Sequence, residues 1–200
     1  MLRTIHLALV AALGAGVVSA GVAAVAEVAP GHDGYTARAV IKNPGGATVG
    51  RLLVEPERYG KSRVTVTVRG LSPGYHGLHI HTTGVCDPRS TDPATGGPYF
   101  SAGGHFTLGP GAHAGHSGDL PNLLVNADGT GGASTVTDRF RVFHLFDRDG
   151  SAVVVHALAD NHANIPGRYT GPAGKAGPDE DTLKAGDSGG RVACGVIAAG

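Results

Sequence analysis

The clearest pattern in the chain is a strict alternation of apolar and polar side chains over residues 63–69. A period of two with β-branched residues predicts a strand that buries one face. Similar alternation on either side of residues 43–46, which hold a proline and two glycines, predicts a hairpin of strands 35–41 and 48–54. Residues 55–60 are predicted to turn the chain into the third strand. Further strands are predicted at 77–81, 123–126, 133–137, 152–156 and 191–197.

These short strands, separated by turns rich in glycine and proline, predict an all-β domain built as an antiparallel sandwich or barrel. No segment after residue 26 shows the length and period of a good helix. The 34 glycines and 12 prolines punctuate the apolar alternation and form no low-complexity tract. Two long connections remain, 82–118 and 160–190, and loops of this length in a compact domain are usually functional.

The first 26 residues resemble a signal peptide, because one arginine precedes a run rich in alanine, valine and leucine. An uncleaved membrane anchor is the alternative, although alanine and glycine make the run only weakly hydrophobic. Residues 27–34 are then a flexible N-terminal segment and 35–200 a single domain. The protein is predicted to be secreted or held in the cell envelope, with membrane or cell-wall association only if the leader stays attached.

Charge and cysteine content narrow the classes of function. The formal net charge is zero and no long basic run is present, which removes the electrostatic basis for nucleic-acid binding. Only Cys86 and Cys194 occur, so a disulfide has a single pairing, and export favours its formation. Two buried free thiols are the alternative.

Histidines at close spacing carry the strongest chemical signal. His79 and His81 alternate along a predicted strand, so both imidazoles project to the same face. His105 follows two glycines, which let the backbone bring a side chain close to a metal. His156 ends the apolar run 152–155, a predicted buried strand.

A second group lies in the loop after His105. His113, His116 and Asp119 follow one another at intervals of three residues, so a single loop can wrap around one ion. Sorted by ligand chemistry, an all-nitrogen set suits copper(II) and a set of three nitrogens and one carboxylate oxygen suits tetrahedral zinc. The predicted copper ligands are His79, His81, His105 and His156, and the predicted zinc ligands are His105, His113, His116 and Asp119. His105 belongs to both sets, because an imidazole has two nitrogens and can bridge two dications after losing its proton.

These residues resemble the motifs of copper/zinc superoxide dismutases of the secreted bacterial type, from about residue 35 to residue 197. The motifs are Gly77-Leu78-His79-Ile80-His81, Ser101-Ala102-Gly103-Gly104-His105-Phe106, Gly118-Asp119-Leu120, Val155-His156-Ala157-Leu158-Ala159-Asp160 and Gly190-Arg191-Val192-Ala193-Cys194-Gly195-Val196-Ile197. The resemblance implies an eight-stranded antiparallel Greek-key β-barrel of the immunoglobulin-like sandwich type, with two long functional loops. It also implies disproportionation of superoxide with one copper and one zinc per chain.

The resemblance assigns further roles. Arg191 would lie over the copper channel and attract the anion, while His105 would serve as both ligand and proton carrier. Asp160 would link a copper histidine to a zinc histidine, and His76 would support the ligand strand. The Cys86–Cys194 disulfide would restrain the ligand loop and help to position Arg191. Charges that would shape the field around the channel are Glu180, Asp181 and Lys184.

Several alternatives stay open at this stage. Only two residues separate His113 from His116, a shorter spacing than most relatives have, so a dismutase that binds copper alone is the first alternative. A secreted copper-binding protein is the second, and a wall-associated module is the third. Arg191 could be an ordinary surface arginine, Asp160 a turn aspartate, and residues 178–181 a solvated acidic turn. The other histidines, His6, His32, His144 and His162, are interpreted as ordinary polar residues. Relatives pair their barrels differently, so monomer and homodimer both remain open.

Overall fold

The computed structural model describes residues 35–171 and 174–200. The predicted leader, residues 1–26, and the segment 27–34 lie outside the described residues. The strands are β1 Ala37–Lys42, β2 Thr48–Glu57, β3 Lys61–Val68, β4 Gly74–His81, β5 Asp119–Val125, β6 Gly131–Thr137, β7 Ala152–His156, β8 Arg191–Val196 and β9 Ala198–Ala199. One short α-helix, α1, spans Glu180–Ala185, and 3₁₀ turns span Arg58–Gly60, Phe100–Ala102 and Val142–Phe146. In the ranges described, no helix is both long enough and apolar enough to cross a membrane.

The strands form one closed antiparallel sheet. Their order is β2-β3-β6-β5-β4-β7-β8-β1, and β1 also pairs with β2, which closes the barrel. The two-residue strand β9 adds to the end of β1. Because β3 lies beside β6 and β4 beside β7, the chain crosses between non-consecutive strands in the Greek-key manner. The predicted all-β, eight-stranded barrel is confirmed.

The alternation of residues 63–69 explains how β3 faces the core. Val64, Val66 and Val68 are buried, while Arg63 and Thr67 are exposed. The same inward rows from β1, β2, β5 and β7 complete one continuous core in the barrel. Closing the sheet removes the unpaired edges that an open sheet would leave.

Several strands differ in length from their predicted bounds. Residues 55–57 were expected to turn, but they pair with residues 61–63 and extend β2. Strand β5 begins at Asp119, four residues before the predicted start. Polar and proline residues weaken the apolar alternation at these strand ends, while cross-strand hydrogen bonds keep the backbone extended. The turn predicted at 126–129 is present, with the Gly129 N–H donating to the Asn126 carbonyl.

The two long loops leave neighbouring strands of the barrel. Residues 82–118 connect β4 to β5, and residues 157–190 connect β7 to β8. Since β4 and β7 are paired, both loops depart from one region of the sheet. The second loop contains α1, whose first turn is capped by the Asp179 carboxylate accepting from the Thr182 N–H. This helix was not predicted, because six residues are too few to show a helical period.

The disulfide predicted from the cysteine count is present. Cys86 and Cys194 are bonded, with their Cα atoms 5.7 Å apart, across 108 residues of sequence. Cys194 lies on β8 and Cys86 lies in the first long loop, so the bond ties that loop to the barrel. Both pack with Tyr99, Ala102 and Val154 in a small apolar cluster.

Replacing both cysteines by serine should lower the free energy of unfolding by about 4–5 kcal/mol, because the bond removes loop-closure entropy from the unfolded chain. Denaturant unfolding of the metal-free protein measures this change without a contribution from metal binding. Reduced wild-type protein is the control and should match the double variant. A loss below about 1 kcal/mol would show that the loop is held by other contacts.

Candidate metal centre

Four buried imidazoles come together where the first long loop crosses β4 and β7. His79 and His81 project from β4, His156 ends β7, and His105 is brought over β4 by a backbone bridge to His81. One nitrogen from each of the four lies within 4.8 Å of all the others. The structure thus places the whole predicted copper set together.

The hydrogen bonds of these imidazoles decide which nitrogens face the centre. His79 Nε2 lies 2.9 Å from an Asp160 oxygen, while its Nδ1 is buried without a partner. His81 Nδ1 donates to the Gly103 carbonyl at 2.9 Å, and His156 Nδ1 donates to the Gly189 carbonyl at 3.0 Å. Because those nitrogens carry the protons, Nε2 of each ring is left with its lone pair, and the two Nε2 atoms lie 3.4 Å apart.

His105 stands between this group and a second one. Its Nε2 is buried without a partner, and its Nδ1 lies 2.7 Å from Asp119 Oδ1. The Nδ1 atoms of His113 and His116 each lie 3.2 Å from Asp119 Oδ2. Both Nδ1 atoms are buried and neither forms a hydrogen bond. The predicted zinc set is therefore also assembled, including His113 and His116 despite their short spacing.

These distances fit a shared ion. Atoms that surround a tetrahedral zinc at about 2.0 Å lie about 3.3 Å from one another. The 3.2 Å separations from Asp119 Oδ2 to the two Nδ1 atoms are close to that value. Buried polar atoms without partners are unfavourable unless something satisfies them. Four such imidazole nitrogens, His79 Nδ1, His105 Nε2, His113 Nδ1 and His116 Nδ1, face the two groups, so the donor set suits bound metal.

A grouping by distance alone places His79 with His105, His113 and Asp119. The sequence predicted His116 in its place, and the hydrogen bonds of the two rings favour that prediction. His79 has one nitrogen committed to Asp160, so its remaining nitrogen can serve only one ion. His116 Nδ1 has no such commitment and lies beside Asp119 Oδ2.

Asp160 links the predicted copper ligands to the predicted zinc ligands, because it contacts the Nε2 atoms of one histidine from each set. One of its oxygens lies 2.9 Å from His79 Nε2 and the other 2.7 Å from His113 Nε2, and its side chain is fully buried. Its backbone is held by Asn122, which both donates to the Asp160 carbonyl and accepts from the Asp160 N–H. Hydrogen bonds at Nε2 leave Nδ1 of each ring to face a metal.

Burial and neighbouring charges set the protonation of the site. Burial lowers the pKa of His105 to about 4 and that of His156 to about 3, so both are neutral and can bind a metal at pH 7. Burial acts in the same direction on His113, but the carboxylates of Asp119 and Asp160 raise its pKa to about 9. Although burial favours the neutral form of Asp119, its contacts with His105 and His113 hold its pKa well below the usual range. The carboxylates that attract a proton to His113 would equally attract a divalent cation.

Arg191 is anchored to the loop that carries His105. Its guanidinium donates to the Tyr99 carbonyl at 2.5 Å and to the Gly103 carbonyl at 2.6 Å. The Gly103 carbonyl also accepts from His81, so one backbone oxygen fixes both the arginine and a member of the four-histidine group. Arg191 is thus not a free surface side chain. Its permanent positive charge lies beside the imidazoles.

The remaining predicted residues lie at the edges of the site. His76 is buried on β4 and contacts the carbonyls of His156 and Ser72 through its two ring nitrogens. Glu180, Asp181 and Lys184 lie exposed on α1, with Lys184 Nζ 4.0 and 3.9 Å from the two carboxylates. This helix contacts the first long loop, residues 82–118, since the Leu183 carbonyl accepts from the His113 N–H. A role of these charges in guiding the substrate stays a prediction.

Sequence reasoning missed three contributors. His162, interpreted as an ordinary polar residue, donates its backbone N–H to Asp160 Oδ1 and places its ring 3.5 Å from Asp160 Oδ2. Asn122 was not singled out although it holds the Asp160 backbone. Gly186 leaves room for Asp160 and His113, a feature that only the folded loop reveals.

Comparison with known proteins gives one family. The sequence model described as copper/zinc superoxide dismutase matches residues 48–197. The chain is 46% identical over 167 residues to the Cu-Zn superoxide dismutase of Mycolicibacterium paratuberculosis, covering 80% of this chain and 73% of that one. It is 44% identical over 182 residues to the Cu-Zn superoxide dismutase of Mycobacterium tuberculosis, covering 87% and 74%. The solved Cu/Zn superoxide dismutase of Brucella abortus superposes with a TM-score of 0.62 at 28% identity, covering 82% of this chain and 99% of that chain.

Substituting Gly186 by alanine should damage the zinc group. The φ of Gly186 is +57°, and a Cβ atom there would overlap the Asp160 carboxylate and lie 2.6 Å from His113 Nε2. Because Asp160 orients His113, we expect zinc affinity to fall about 10–100-fold. Competition with a chelator of known affinity measures the change.

Gly96→Ala is the matched control, because Gly96 has a φ of +70° and nothing lies within 4 Å of its added Cβ. That variant should show only the strain of a left-handed backbone, about 1–2 kcal/mol of stability, with unchanged zinc affinity. Equal zinc affinities in the two variants would contradict the role assigned to Gly186.

Proposed function

The chain belongs to the copper/zinc superoxide dismutase family and is a superoxide dismutase with copper and zinc as its cofactors, and on that premise we propose how its own residues perform the reaction and where. Copper is held by His79, His81, His105 and His156. Zinc is held by His105, His113, His116 and Asp119. This assignment depends on one observation. Four buried imidazole nitrogens have no hydrogen-bond partner, and each belongs to a predicted copper or zinc ligand.

Copper, when bound, supplies the one-electron redox couple that converts superoxide to dioxygen and hydrogen peroxide, and zinc supplies a fixed positive charge next to it. The protein must bring the small anion to this centre and provide protons for peroxide. Each task falls to a residue whose contacts are defined.

His105 is the residue placed to handle a proton. It is the only predicted ligand shared by both sets, with Nδ1 beside Asp119 and Nε2 facing the four-histidine group. When Nε2 is not engaged with metal, it is the atom at which a proton can be held and passed to the substrate. The contact with Asp119 keeps the ring oriented while this happens.

Arg191 is the residue placed to hold the anion. Two of its N–H groups are used by the carbonyls of Tyr99 and Gly103, which fix the guanidinium plane. Guanidinium stays charged at any relevant pH, so the attraction for superoxide does not titrate. Clefts lined by charges of one sign raise the capture rate of an oppositely charged ion by about 10–10³-fold, and Arg191 supplies a positive charge beside the imidazoles.

We further infer that the enzyme acts outside the cytoplasm, against extracytoplasmic superoxide. The Cys86–Cys194 disulfide is supported by oxidising compartments and is rare where thiols are kept reduced. The first 26 residues have the composition of an export signal. Fractionation of the native host with antibodies against this chain tests the location, and a cytoplasmic pool that carries the intact disulfide would overturn it.

Reloading the metal-free, disulfide-bonded protein separates the assigned sites. We expect one copper and one zinc per chain, with full superoxide consumption only after both are added. In His116→Ala, zinc should be lost while copper remains, because His116 belongs to the zinc set alone. His144→Ala is the control, since His144 accepts from the Arg141 N–H away from both groups.

Each other outcome has a defined meaning. Full activity with copper alone would remove His113 and His116 from the ligand assignment. Bound copper without turnover, even after reloading with zinc, would contradict the proposed catalytic arrangement and leave a copper-binding protein.

Arg191→Ala should reduce kcat/KM for superoxide about tenfold or more and weaken its dependence on ionic strength. Arg191→Lys keeps the charge but cannot bridge both carbonyls, so it should recover only part of the rate. Stopped-flow or pulse-radiolysis decay of superoxide at several salt concentrations measures both effects. Arg148→Ala, an exposed arginine on another loop, is the control. Equal rates in Arg191→Ala and wild type would remove Arg191 from the mechanism.

A further inference from the structure

A groove of about 970 Å³ runs over the outer side of β1, β2 and β8. We call it the basic groove. Its exposed cationic residues are Arg38, Lys42 and Arg51, and most of the rest of its lining is apolar, including Val40, Leu53 and Val196. Val40 and Val196 are 48% and 44% exposed, although they lie on strands of the closed barrel.

The charges of the basic groove are all of one sign. No aspartate or glutamate within residues 35–171 and 174–200 lines it. Among the residues that the structure describes, Arg38, Lys42 and Arg51 have no carboxylate within 4.0 Å. An adjoining cavity of about 300 Å³ shares Arg51 with the groove and adds Arg69, again without an acidic residue. The two cavities therefore lie side by side, with Arg51 lining both.

The net charge of the whole chain, which is zero, does not reveal this local excess of positive charge. Residues 35–69 carry seven basic and two acidic side chains, although the whole chain has 16 of each. The outward positions of β1 and β2 alternate with core positions, so the cations stand on the solvent side of the sheet. A local potential of this kind attracts anions even when the net charge is zero.

The three cations of the basic groove lie on β1 and β2, whereas His79, His81 and His156 lie on β4 and β7. The ligand strands β4 and β7 are neighbours, and in the circular strand order β4 is separated from β2 by β5, β6 and β3 on one side and by β7, β8 and β1 on the other. The groove also reaches β8, where Cys194 and Tyr99 line it, and the Tyr99 carbonyl accepts from Arg191. Arg38, Lys42 and Arg51 themselves have no role in the reaction derived above.

We propose that the basic groove binds a chain of acidic polysaccharide, with carboxylate groups on Arg38, Lys42 and Arg51 and sugar rings against Val40, Leu53 and Val196. Its length fits a linear ligand, since Arg38 and Lys42 are four residues apart on one strand, about 13 Å. The mixture of cations with an apolar floor matches a sugar chain, which carries both carboxylates and apolar ring faces. Binding would hold the enzyme at an anionic surface without its leader.

Other occupants fit less well. A second copy joined groove to groove by a twofold axis would bury the cations of both copies, and neither groove has an acidic lining residue to pair with them, which is unfavourable. Single-stranded nucleic acid is read by exposed aromatic platforms, whereas the tyrosine that lines the groove, Tyr99, is 2% exposed. A flat bilayer would not fill a concave track.

The test uses the disulfide-bonded, metal-loaded protein and immobilised polygalacturonate, with neutral dextran as the matrix control. We expect binding to polygalacturonate that weakens as salt rises from about 50 to 200 mM, and none to dextran. The triple variant Arg38→Gln, Lys42→Gln, Arg51→Gln should bind at least tenfold more weakly. Its superoxide consumption should be unchanged, which also shows that it folds.

A charge-matched variant, Arg148→Gln, Arg168→Gln, Lys175→Gln, removes three exposed cations outside the groove. It should keep full binding. Equal loss in both triple variants, or no loss in the groove variant, would overturn the proposal. It would also be overturned if wild-type protein bound only vesicles of phosphatidylglycerol, bound only single-stranded DNA, or formed a dimer that the groove variant abolishes.

Discussion

The arrangement of the metal centre depends on one buried carboxylate. Asp160 contacts His79 with one oxygen and His113 with the other, and its side chain is inaccessible to solvent. A buried charge is tolerated only when it is well satisfied, so this contact fixes its partners as firmly as they fix it. His79 is a predicted copper ligand and His113 a predicted zinc ligand. Asp160, which belongs to neither ligand set, therefore fixes the distance between the two sets. The loop around Asp160 must then leave space, which Gly186 provides.

A second constraint comes from the carbonyl of Gly103. It accepts from His81 and from Arg191, so the copper group and the anion-binding group share a rigid backbone atom. The same loop is tied to β8 by the Cys86–Cys194 bond and packs Tyr99 against it. Tyr99 in turn offers its carbonyl to Arg191. The loop that carries His105, the disulfide and Arg191 are therefore structurally connected. Breaking the disulfide should displace the Arg191 guanidinium before it disturbs the packing of the barrel core.

The sequence predicted the parts of this site that follow from local rules. His79 and His81 alternate on a strand, and period two alone places them on one face; the eight strands followed in the same way from alternation and turn residues. Arg191 and Asp160 were assigned by family resemblance, because nothing near them in sequence indicates their partners. His162, Asn122 and Gly186 could not be predicted, since each lies against Asp160 only in the folded chain, at sequence separations of 2 to 38 residues. The short helix Glu180–Ala185 was not predicted, because six residues are too few to show the helical period of apolar residues. Its clearest feature is the N-terminal cap that the Asp179 side chain provides.

Net charge was the least informative quantity for this chain. A value of zero excluded a uniformly basic surface, yet the fold gathers Arg38, Lys42 and Arg51 on one side and the histidine groups with their carboxylates on another. An anionic substrate and an anionic polymer are then attracted to different side chains, the substrate to Arg191 and the polymer to Arg38, Lys42 and Arg51. Placing the cations on β1 and β2 and the strand-borne ligands on β4 and β7 would let one small domain be retained at a surface by strands that carry none of its metal ligands.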